Sequence, residues 1–311
     1  MTRSLPPATS LVVFSTRAYA ELSESIRKLA GAGAGILECT TFPDGERYQR
    51  VGTDVRDRGV VVVGGTIDDT NTLELFDLAY SLVKQGARTL TMILPYFGYG
   101  TMERAVKKGE VVTAKARACL LSAIPPAADG SRVVLLDLHS EGIPHYFEGA
   151  LCPVHLYAKD VVLDAIRELG GGDFVLGATD AGRAKWVESL ANELDVDAGF
   201  VFKRRLDGEH TEVVAMNADV GGKAVVVYDD MIRTGGSLVH AARAYRDAGA
   251  TRVSVVATHG LFPFDAVERI RASGTIDRIV VTDSHPRARE VASDFVTVKT
   301  TANLFADFLR T

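Results

Sequence analysis

Short apolar runs alternate with longer amphipathic stretches along most of the chain, and this alternation constrains the fold more than any other feature. The apolar runs predict strands at Leu11–Phe14, Val60–Val63, Thr89–Leu94, Val133–Leu136, Phe174–Leu176, Ala224–Val227, Val253–Val256 and Ile279–Val281. Each run is nearly all apolar, as is typical of parallel strands that are covered on both faces. The stretches between them predict helices at Tyr19–Leu29, Leu73–Lys84, Ala114–Ser122, Lys159–Leu169, Lys185–Leu194, Leu238–Asp247 and Phe264–Arg271. The pattern therefore predicts an α/β fold with parallel sheets and crossover helices.

The length of the chain and the similar pattern of its two halves predict two domains. At about 150 residues per domain, 311 residues correspond to roughly two. A boundary near residues 145–155 divides the apolar runs evenly, so we expect an N-terminal domain at 1–150 and a C-terminal domain at 151–299. Residues 300–311 are expected to form a helix that packs on the N-terminal domain.

Composition excludes several other classes of protein. Apolar residues make up 47% of the chain and charged residues 24%, unlike the composition of disordered proteins. The net charge of −5 argues against a broad nucleic-acid-binding surface. No apolar run reaches the roughly 18 residues of a membrane helix or forms a secretory signal core. Cys39, Cys119 and Cys152 are too scattered to predict a disulfide framework or a thiolate zinc site. We therefore expect a cytoplasmic protein that binds neither nucleic acid nor membrane.

The most informative segment is the loop that follows the predicted strand Ala224–Val227. It contains two adjacent carboxylates and then a glycine-rich turn before a helix: Asp229, Asp230, Arg233, Thr234, Gly235, Gly236 and Ser237. Glycines permit a sharp turn, and the N–H groups at a helix N-terminus bind anions. The carboxylates would repel a phosphate, so they suit sugar hydroxyls or a cation. The loop predicts a site for a phosphorylated sugar, because a simple capped helix would explain the turn but not the aspartate pair.

The same loop resembles the binding loop of phosphoribosyltransferases and of ribose-phosphate pyrophosphokinases, which are also called PRPP synthetases. Further segments are similar to PRPP synthetase motifs, in that family's order: Phe42-Pro43-Asp44-Gly45-Glu46, Pro95-Tyr96-Phe97, Glu103-Arg104, Gly109-Glu110, Thr113-Ala114-Lys115, Asp137-Leu138-His139, Lys203-Arg204-Arg205 and Thr258-His259-Gly260-Leu261-Phe262. These segments cover nearly the whole chain. Phosphoribosyltransferases are usually single-domain and lack this set, so the resemblance favours the PRPP synthetases.

The resemblance implies two similar phosphoribosyltransferase-type domains, each a parallel sheet flanked by helices, and a specific reaction. The family transfers the β,γ-diphosphoryl group of ATP to the anomeric hydroxyl of ribose 5-phosphate, which releases AMP and forms PRPP. Negative charge develops on phosphoryl oxygens, so catalysis depends on positioning and on cations. Lys203 and Arg205 match the family's catalytic cations, although alone they would indicate a solvated basic cluster. The polar stretch 206–211 after them is typical of a mobile lid.

The resemblance also assigns the binding residues. Asp229 and Asp230 would hold the ribose hydroxyls, and Arg233–Ser237 would hold the 5-phosphate. His139 and Asp180 would hold Mg²⁺, although a packed, hydrogen-bonded histidine is the alternative for His139 because Mg²⁺ prefers oxygen ligands. The nucleotide would contact Phe42, Asp44, Gly45, Glu46, Thr101, Met102, Glu103 and Arg104. Some of these contacts are expected from a neighbouring subunit, which implies a homo-oligomer with the nucleotide near a subunit interface.

The chain departs from the family's common pattern at three places. Thr101 and Met102 stand where most members have Arg-Gln, which is more similar to a plant-type subgroup that accepts several nucleoside triphosphates. Arg233 stands where the family usually has Asp, and its cation can pair with the 5-phosphate. The stretch Lys299–Phe305 lacks the serine pattern of the phosphate-activated subgroup, which leaves control by phosphate and ADP open.

Two other functions fit part of the sequence. A non-catalytic, PRPP-synthetase-associated regulatory subunit agrees with Thr101 and Met102 but not with Lys203, Arg205 and the aspartate pair. A phosphoribosyltransferase would leave the N-terminal half unexplained, and no motif for its base is present. The leading prediction is therefore an active, Mg²⁺-dependent diphosphokinase that uses ATP and ribose 5-phosphate.

Overall fold

The structure is a computed structural model that describes residues 11–179, 181–205, 211–216 and 218–311. For residues 181, 201–205 and 211–216 it describes the backbone alone. The contacts within the chain form two compact units. One unit ends at Tyr157 and includes Thr301–Thr311, and the other is Ala158–Thr300.

The described part of the chain forms strands and helices that alternate for most of its length. The strands are β1 (Leu11–Ser15), β2 (Gly33–Ala34), β3 (Leu37–Thr41), β4 (Arg47–Val51), β5 (Gly59–Val63), β6 (Thr89–Leu94), β7 (Ser131–Leu136), β8 (Leu151–Leu156), β9 (Phe174–Ala178), β10 (Asp197–Arg205), β11 (Thr211–Met216), β12 (Ala224–Ile232), β13 (Arg252–Gly260), β14 (Arg278–Thr282) and β15 (Val296–Lys299). The helices are α1 (Ala20–Ala30), α2 (Asp69–Lys84), α3 (Thr113–Ser122), α4 (Lys159–Gly170), α5 (Ala184–Leu194), α6 (Gly236–Asp247), α7 (Ala266–Ala272), α8 (Arg287–Glu290) and α9 (Ala302–Arg310).

The first unit is built on a parallel sheet with the strand order β2-β1-β5-β6-β7-β8. Every residue of the central strand β5 is buried, which explains its unbroken apolar sequence. Strands β3 and β4 form a separate antiparallel hairpin. Helix α9 returns to this unit and packs on α1, where Arg310 donates a hydrogen bond to the carbonyl of Leu29.

The second unit is built on a sheet with the strand order β11-β10-β9-β12-β13-β14-β15. The ladders in this sheet are parallel except for the β10–β11 pair. In the register, Tyr228 of β12 lies between Ala178 of β9 and Val256 of β13. The carboxyl ends of these three strands therefore lie side by side at one edge of the sheet.

The α/β class with parallel sheets is confirmed, and each strand and helix predicted from the apolar pattern is present. The hairpin β3–β4 was not predicted, because its residues are partly or fully exposed and carry many polar side chains. The helix predicted from Phe264 begins instead at Ala266. Phe262 and Phe264 have φ angles of 40° and 53°, which lie outside the right-handed helical region.

Candidate functional site

A loop at the carboxyl edge of the second unit's sheet has the geometry of an anion site. The backbone N–H groups of Leu261 and Phe262 donate to the carbonyl oxygen of Ile232 at 2.9 and 3.3 Å, which fixes the start of the loop. A cavity of about 230 Å³ is lined by Asp229 and by residues 231–238. The predicted phosphate-binding residues Arg233, Thr234, Gly236 and Ser237 are exposed there, so a ligand can reach them.

Glycine is required at position 235 for two physical reasons. Its φ of 78° lies in the left-handed region, and a Cβ atom at this position would lie 2.4 Å from the Cδ1 atom of Ile270 in α7. Gly235 is also the N-cap of α6, and it has no side chain to occupy the first N–H groups of that helix. Those groups remain suited to an anion.

The two aspartates of the loop have different partners. The Oδ2 atom of Asp229 accepts a hydrogen bond from the Thr179 hydroxyl at 3.0 Å, and its Oδ1 atom accepts one from the backbone N–H of Asp230 at 2.9 Å. Burial and the neighbouring Asp230 raise the pKa of Asp229 from its ordinary 3.8 to about 7. Asp230 is only 5% exposed and forms an ion pair with Arg183.

Sequence reasoning missed Arg183. It ends the short 3₁₀ turn Ala181–Arg183 that follows β9, and the parallel register of β9 with β12 brings it to Asp230. A basic residue close to a strand end is a weak signal, because its partner is far away in sequence. The predicted metal ligand Asp180 lies outside the described residues.

The candidate nucleotide residues Phe42, Asp44, Gly45 and Glu46 form the tip of the β3–β4 hairpin. The tip is a tight turn, with Gly45 at a φ of 92° and the N–H of Phe42 donating to the Glu46 carbonyl at 2.8 Å. Asp44 accepts a hydrogen bond from the N–H of Glu46 at 3.0 Å. Phe42 is 46% exposed, so its ring is accessible to an aromatic base.

The other candidate nucleotide residues follow Tyr99, whose backbone has a φ of 63°. The Tyr99 hydroxyl donates to Oδ1 of Asp69 in α2 at 2.7 Å. Arg117 of α3 lies with its Cζ atom 4.5 Å from the centre of the Tyr99 ring and forms an ion pair with Asp69. We call Tyr99, Asp69 and Arg117 the tyrosine clamp. Because Asp69 and Arg117 belong to different helices, the clamp fixes the start of the segment that carries Thr101–Arg104.

Two further contacts hold that segment. The N–H of Ala114 donates to the Met102 carbonyl at 3.3 Å, and the Tyr146 hydroxyl donates to the Glu103 carbonyl at 2.5 Å. The side chains of Thr101, Met102 and Arg104 are exposed, whereas that of Glu103 is partly buried. The hairpin is attached to the same end of α2 as the clamp, since Arg47 donates to the carbonyl of Thr70 at 3.2 Å.

The predicted catalytic cations lie in β10. The structure gives their backbone positions in that strand, and the side chains of Lys203 and Arg205 lie outside its described part. Residues 206–210, which contain most of the predicted lid, are also outside the described residues.

His139, the other predicted metal ligand, is exposed just after the end of β7. Among the described side chains, no group of three or more His, Cys, Asp or Glu lies close enough to hold a metal ion. Mg²⁺ commonly keeps several waters and takes only one or two protein ligands beside substrate phosphates. His139 is exposed, so an ion that also binds nucleotide phosphates can reach it.

Within the parts of the chain that the structure describes, no helix combines the length and the apolar character needed to cross a bilayer.

Two family models match the chain. The N-terminal domain of ribose phosphate pyrophosphokinase matches residues 11–124, and the phosphoribosyl synthetase-associated domain matches residues 205–310. Among curated relatives, the ribose-phosphate pyrophosphokinase of Synechococcus elongatus is 32% identical over 98% of this chain and 91% of its own length. That of Chromobacterium violaceum is 34% identical over 97% of this chain and 91% of its own length.

A solved structure is similar over the same extent. The crystal structure of phosphoribosylpyrophosphate synthetase from Mycobacterium smegmatis matches with a TM-score of 0.85 and 27% identity, over 97% of this chain and 98% of that one. The similarity extends over both units. Since its identity to curated members holds over nearly its entire length, this chain belongs to the ribose-phosphate pyrophosphokinase family.

Proposed function

We propose that this protein is an active ribose-phosphate diphosphokinase, which converts ATP and ribose 5-phosphate into PRPP and AMP. The observation that carries the proposal is the loop at residues 229–237, where Asp229 and an uncapped, glycine-started helix border one cavity and Asp230 is buried next to Asp229 in the chain. A phosphorylated pentose has hydroxyls for the carboxylates and an anion for the helix N-terminus. Family membership supplies the reaction that uses such a ligand.

In the proposed complex, the 5-phosphate accepts hydrogen bonds from the N–H groups and hydroxyls of Thr234–Ser237. Arg233 is exposed beside them and adds a positive charge. Asp229 and Asp230 accept hydrogen bonds from the ribose hydroxyls, which orients the anomeric carbon. The anomeric oxygen then attacks the β-phosphorus of ATP and releases its proton to water, while the bond from that phosphorus to the α,β-bridging oxygen breaks and AMP leaves with that oxygen.

The catalytic cations are proposed to be Lys203 and Arg205, which would stabilise the negative charge that develops on the transferred phosphoryl oxygens. His139 and Asp180 would hold Mg²⁺. When bound, the ion neutralises nucleotide phosphate charge and makes the phosphorus a better electrophile.

The nucleotide is proposed to contact the hairpin tip, at Phe42, Asp44, Gly45 and Glu46, and the segment Thr101–Arg104. The exposed Phe42 ring is available to stack on a base. Part of this contact is proposed to come from a second copy of the chain in a homo-oligomer, which light scattering of the purified protein would detect. A cytoplasmic location is part of the same proposal and is checked by cell fractionation.

The proposal is tested by AMP release from the purified protein alone. We expect AMP only when ATP, ribose 5-phosphate and Mg²⁺ are all present, with PRPP formed in equal amount. A regulatory subunit without catalytic activity would release no AMP by itself. A phosphoribosyltransferase would instead release pyrophosphate from PRPP when a nucleobase is added. Repeating the assay with ATP, GTP, CTP and UTP, with and without inorganic phosphate, determines the donor and the regulation.

A further inference from the structure

Arg183 forms an ion pair with Asp230 of the candidate sugar loop, and the sequence motifs of the site do not include it. The turn that ends with Arg183 follows β9, and β9 pairs in parallel with β12 up to Ala178 and Tyr228. Thr179 and Asp229, the next residues in the two strands, are hydrogen bonded at 3.0 Å. The same register brings the Arg183 guanidinium to the carboxylate of Asp230.

The burial of this ion pair indicates what Arg183 does. The side chain of Asp230 is 7% exposed and that of Arg183 is 23% exposed, so both charges are largely removed from water. A buried carboxylate without a cation is costly, and here a second carboxylate, Asp229, is its immediate neighbour. Asp229 is held differently, by the Thr179 hydroxyl and the Asp230 N–H, which stabilise its position without adding a positive charge.

We infer that Arg183 is a positioning residue for ribose 5-phosphate, which keeps the Asp230 carboxylate ionised and fixed so that it accepts a hydrogen bond from a ribose hydroxyl. This inference rests on the proposed function, and deepens it, because it assigns Arg183 to the sugar end of the site. Arg183 acts through Asp230 and does not itself contact the reacting phosphoryl group.

Loss of the guanidinium should weaken sugar binding selectively. Without it, Asp230 would either take up a proton or turn towards water, because two adjacent carboxylates repel each other. In both cases the ribose hydroxyl loses an oriented acceptor, while the nucleotide contacts of the first unit are unchanged. We expect the KM for ribose 5-phosphate to rise about 10-fold or more in Arg183→Met, which is the scale for removing one member of a buried charge pair.

The experiment measures AMP release by the full-length protein at saturating ATP and Mg²⁺ with varied ribose 5-phosphate, and then with varied ATP. Arg183→Met is compared with Arg183→Lys, which retains a positive charge, and with Arg167→Met, which removes an exposed arginine paired with Asp164 in the same unit. We expect Arg183→Met to change the KM for the sugar but not that for ATP. Arg183→Lys should recover part of the affinity, and Arg167→Met should match the wild type.

The possible outcomes separate the inference from the function on which it rests. If the wild type releases AMP and Arg183→Met has an unchanged KM for ribose 5-phosphate, the positioning role is wrong. Equal increases in both KM values, without recovery by Lys, would indicate general damage to the fold and would also overturn the role. If the wild type releases no AMP, the proposed function is wrong, and the inference that rests on it is rejected with it. Melting temperatures of all variants identify a misfolded Arg183→Met, in which case Arg183→Lys carries the test. A rise in the sugar KM alone supports the positioning role, whereas an unchanged sugar KM or equal rises in both KM values reject it.

Discussion

The second unit forms its candidate sugar site from one continuous stretch of chain, whereas the first unit collects its candidate nucleotide residues from separate elements. In the second unit, residues 229–237 run from the end of β12 into the first turn of α6, and all of them except Asp230 line a single cavity. In the first unit, the residues come from the hairpin tip and from the segment after Tyr99. Both of these are attached to the first turn of α2, through Arg47 and Asp69.

The difference affects how each site tolerates change. A loop that runs from one strand through a turn into one helix is positioned by its own backbone. Substitutions disturb it mainly when they change the turn or the residues that pack against the turn. Residues collected from several elements depend on side-chain contacts between those elements, such as the tyrosine clamp. We therefore expect lesions in the second unit to act on ribose 5-phosphate or on chemistry, and lesions of the clamp to act on the nucleotide.

The largest effect is expected for Lys203→Ala. If Lys203 stabilises the transferred phosphoryl group, its removal should lower kcat by ~10²–10³-fold, about 3–4 kcal/mol of barrier, with little change in either KM. Steady-state AMP release measures both parameters. Lys159→Ala, which removes a surface lysine paired with Glu193, is the control and should retain full kcat. Normal turnover of Lys203→Ala would remove this residue from the mechanism.

Gly235→Ala tests the backbone of the continuous site. The new methyl group would require a left-handed backbone for alanine and would meet Ile270, so the turn must shift. We expect the KM for ribose 5-phosphate to rise roughly 10- to 100-fold, from a cost of about 2 kcal/mol. Gly172→Ala is the control, because no atom lies within 4 Å of a Cβ built there and Gly172 is exposed outside the loop. An unchanged sugar KM in Gly235→Ala would show that the turn does not hold the phosphate.

Asp229→Asn tests the electrostatics of the same site through stability. The folded pKa of about 7 lies above the ordinary 3.8, so the folded state binds this proton more tightly. Its contribution to stability is complete below about pH 4 and is lost as the pH rises through 7. Because Asp229 is only partly buried, we expect Asp229→Asn to be more stable than the wild type by roughly 2 kcal/mol at pH 8.5.

Thermal unfolding at pH 5 and pH 8.5, without substrate, measures this difference. The gain should shrink as the pH falls towards 4. Asp164→Asn, at an exposed carboxylate on α4, provides the comparison and should show no such pH-dependent gain. A gain that is the same at both pH values would mean that the ionisation of Asp229 does not reduce stability.

The smallest effect is expected for Tyr99→Phe, which removes the hydroxyl of the tyrosine clamp and keeps its ring. Loss of one hydrogen bond to a carboxylate should cost about 1 kcal/mol, so the KM for ATP should rise roughly 5-fold. The KM for ribose 5-phosphate should be unchanged. Tyr80→Phe, on an exposed part of α2, is the matched control. An effect on the sugar KM instead would contradict the separation of the two sites.

The sequence predicted the strands well where burial is complete. Strands such as β5 are covered on both faces, so that each of their positions must be apolar, and the run is visible in the sequence. The β3–β4 hairpin was not predicted, because exposed strands carry polar residues that are also common in loops. The turn at its tip is a local feature, since Pro43, Asp44 and Gly45 are residues that favour turns.

The loop at residues 229–237 could be recognised in the sequence, because the residues that define it are neighbours in the chain. The carboxylates, the glycines and the start of the helix follow one another directly. The pairing of Asp230 with Arg183, and of Tyr99 with Asp69 and Arg117, was decided only by the tertiary structure. These partners are distant in sequence and meet because strand register and helix packing bring them together. The local sequence does not predict such contacts, since an arginine or an aspartate in a polar stretch can equally well be exposed to solvent without a partner.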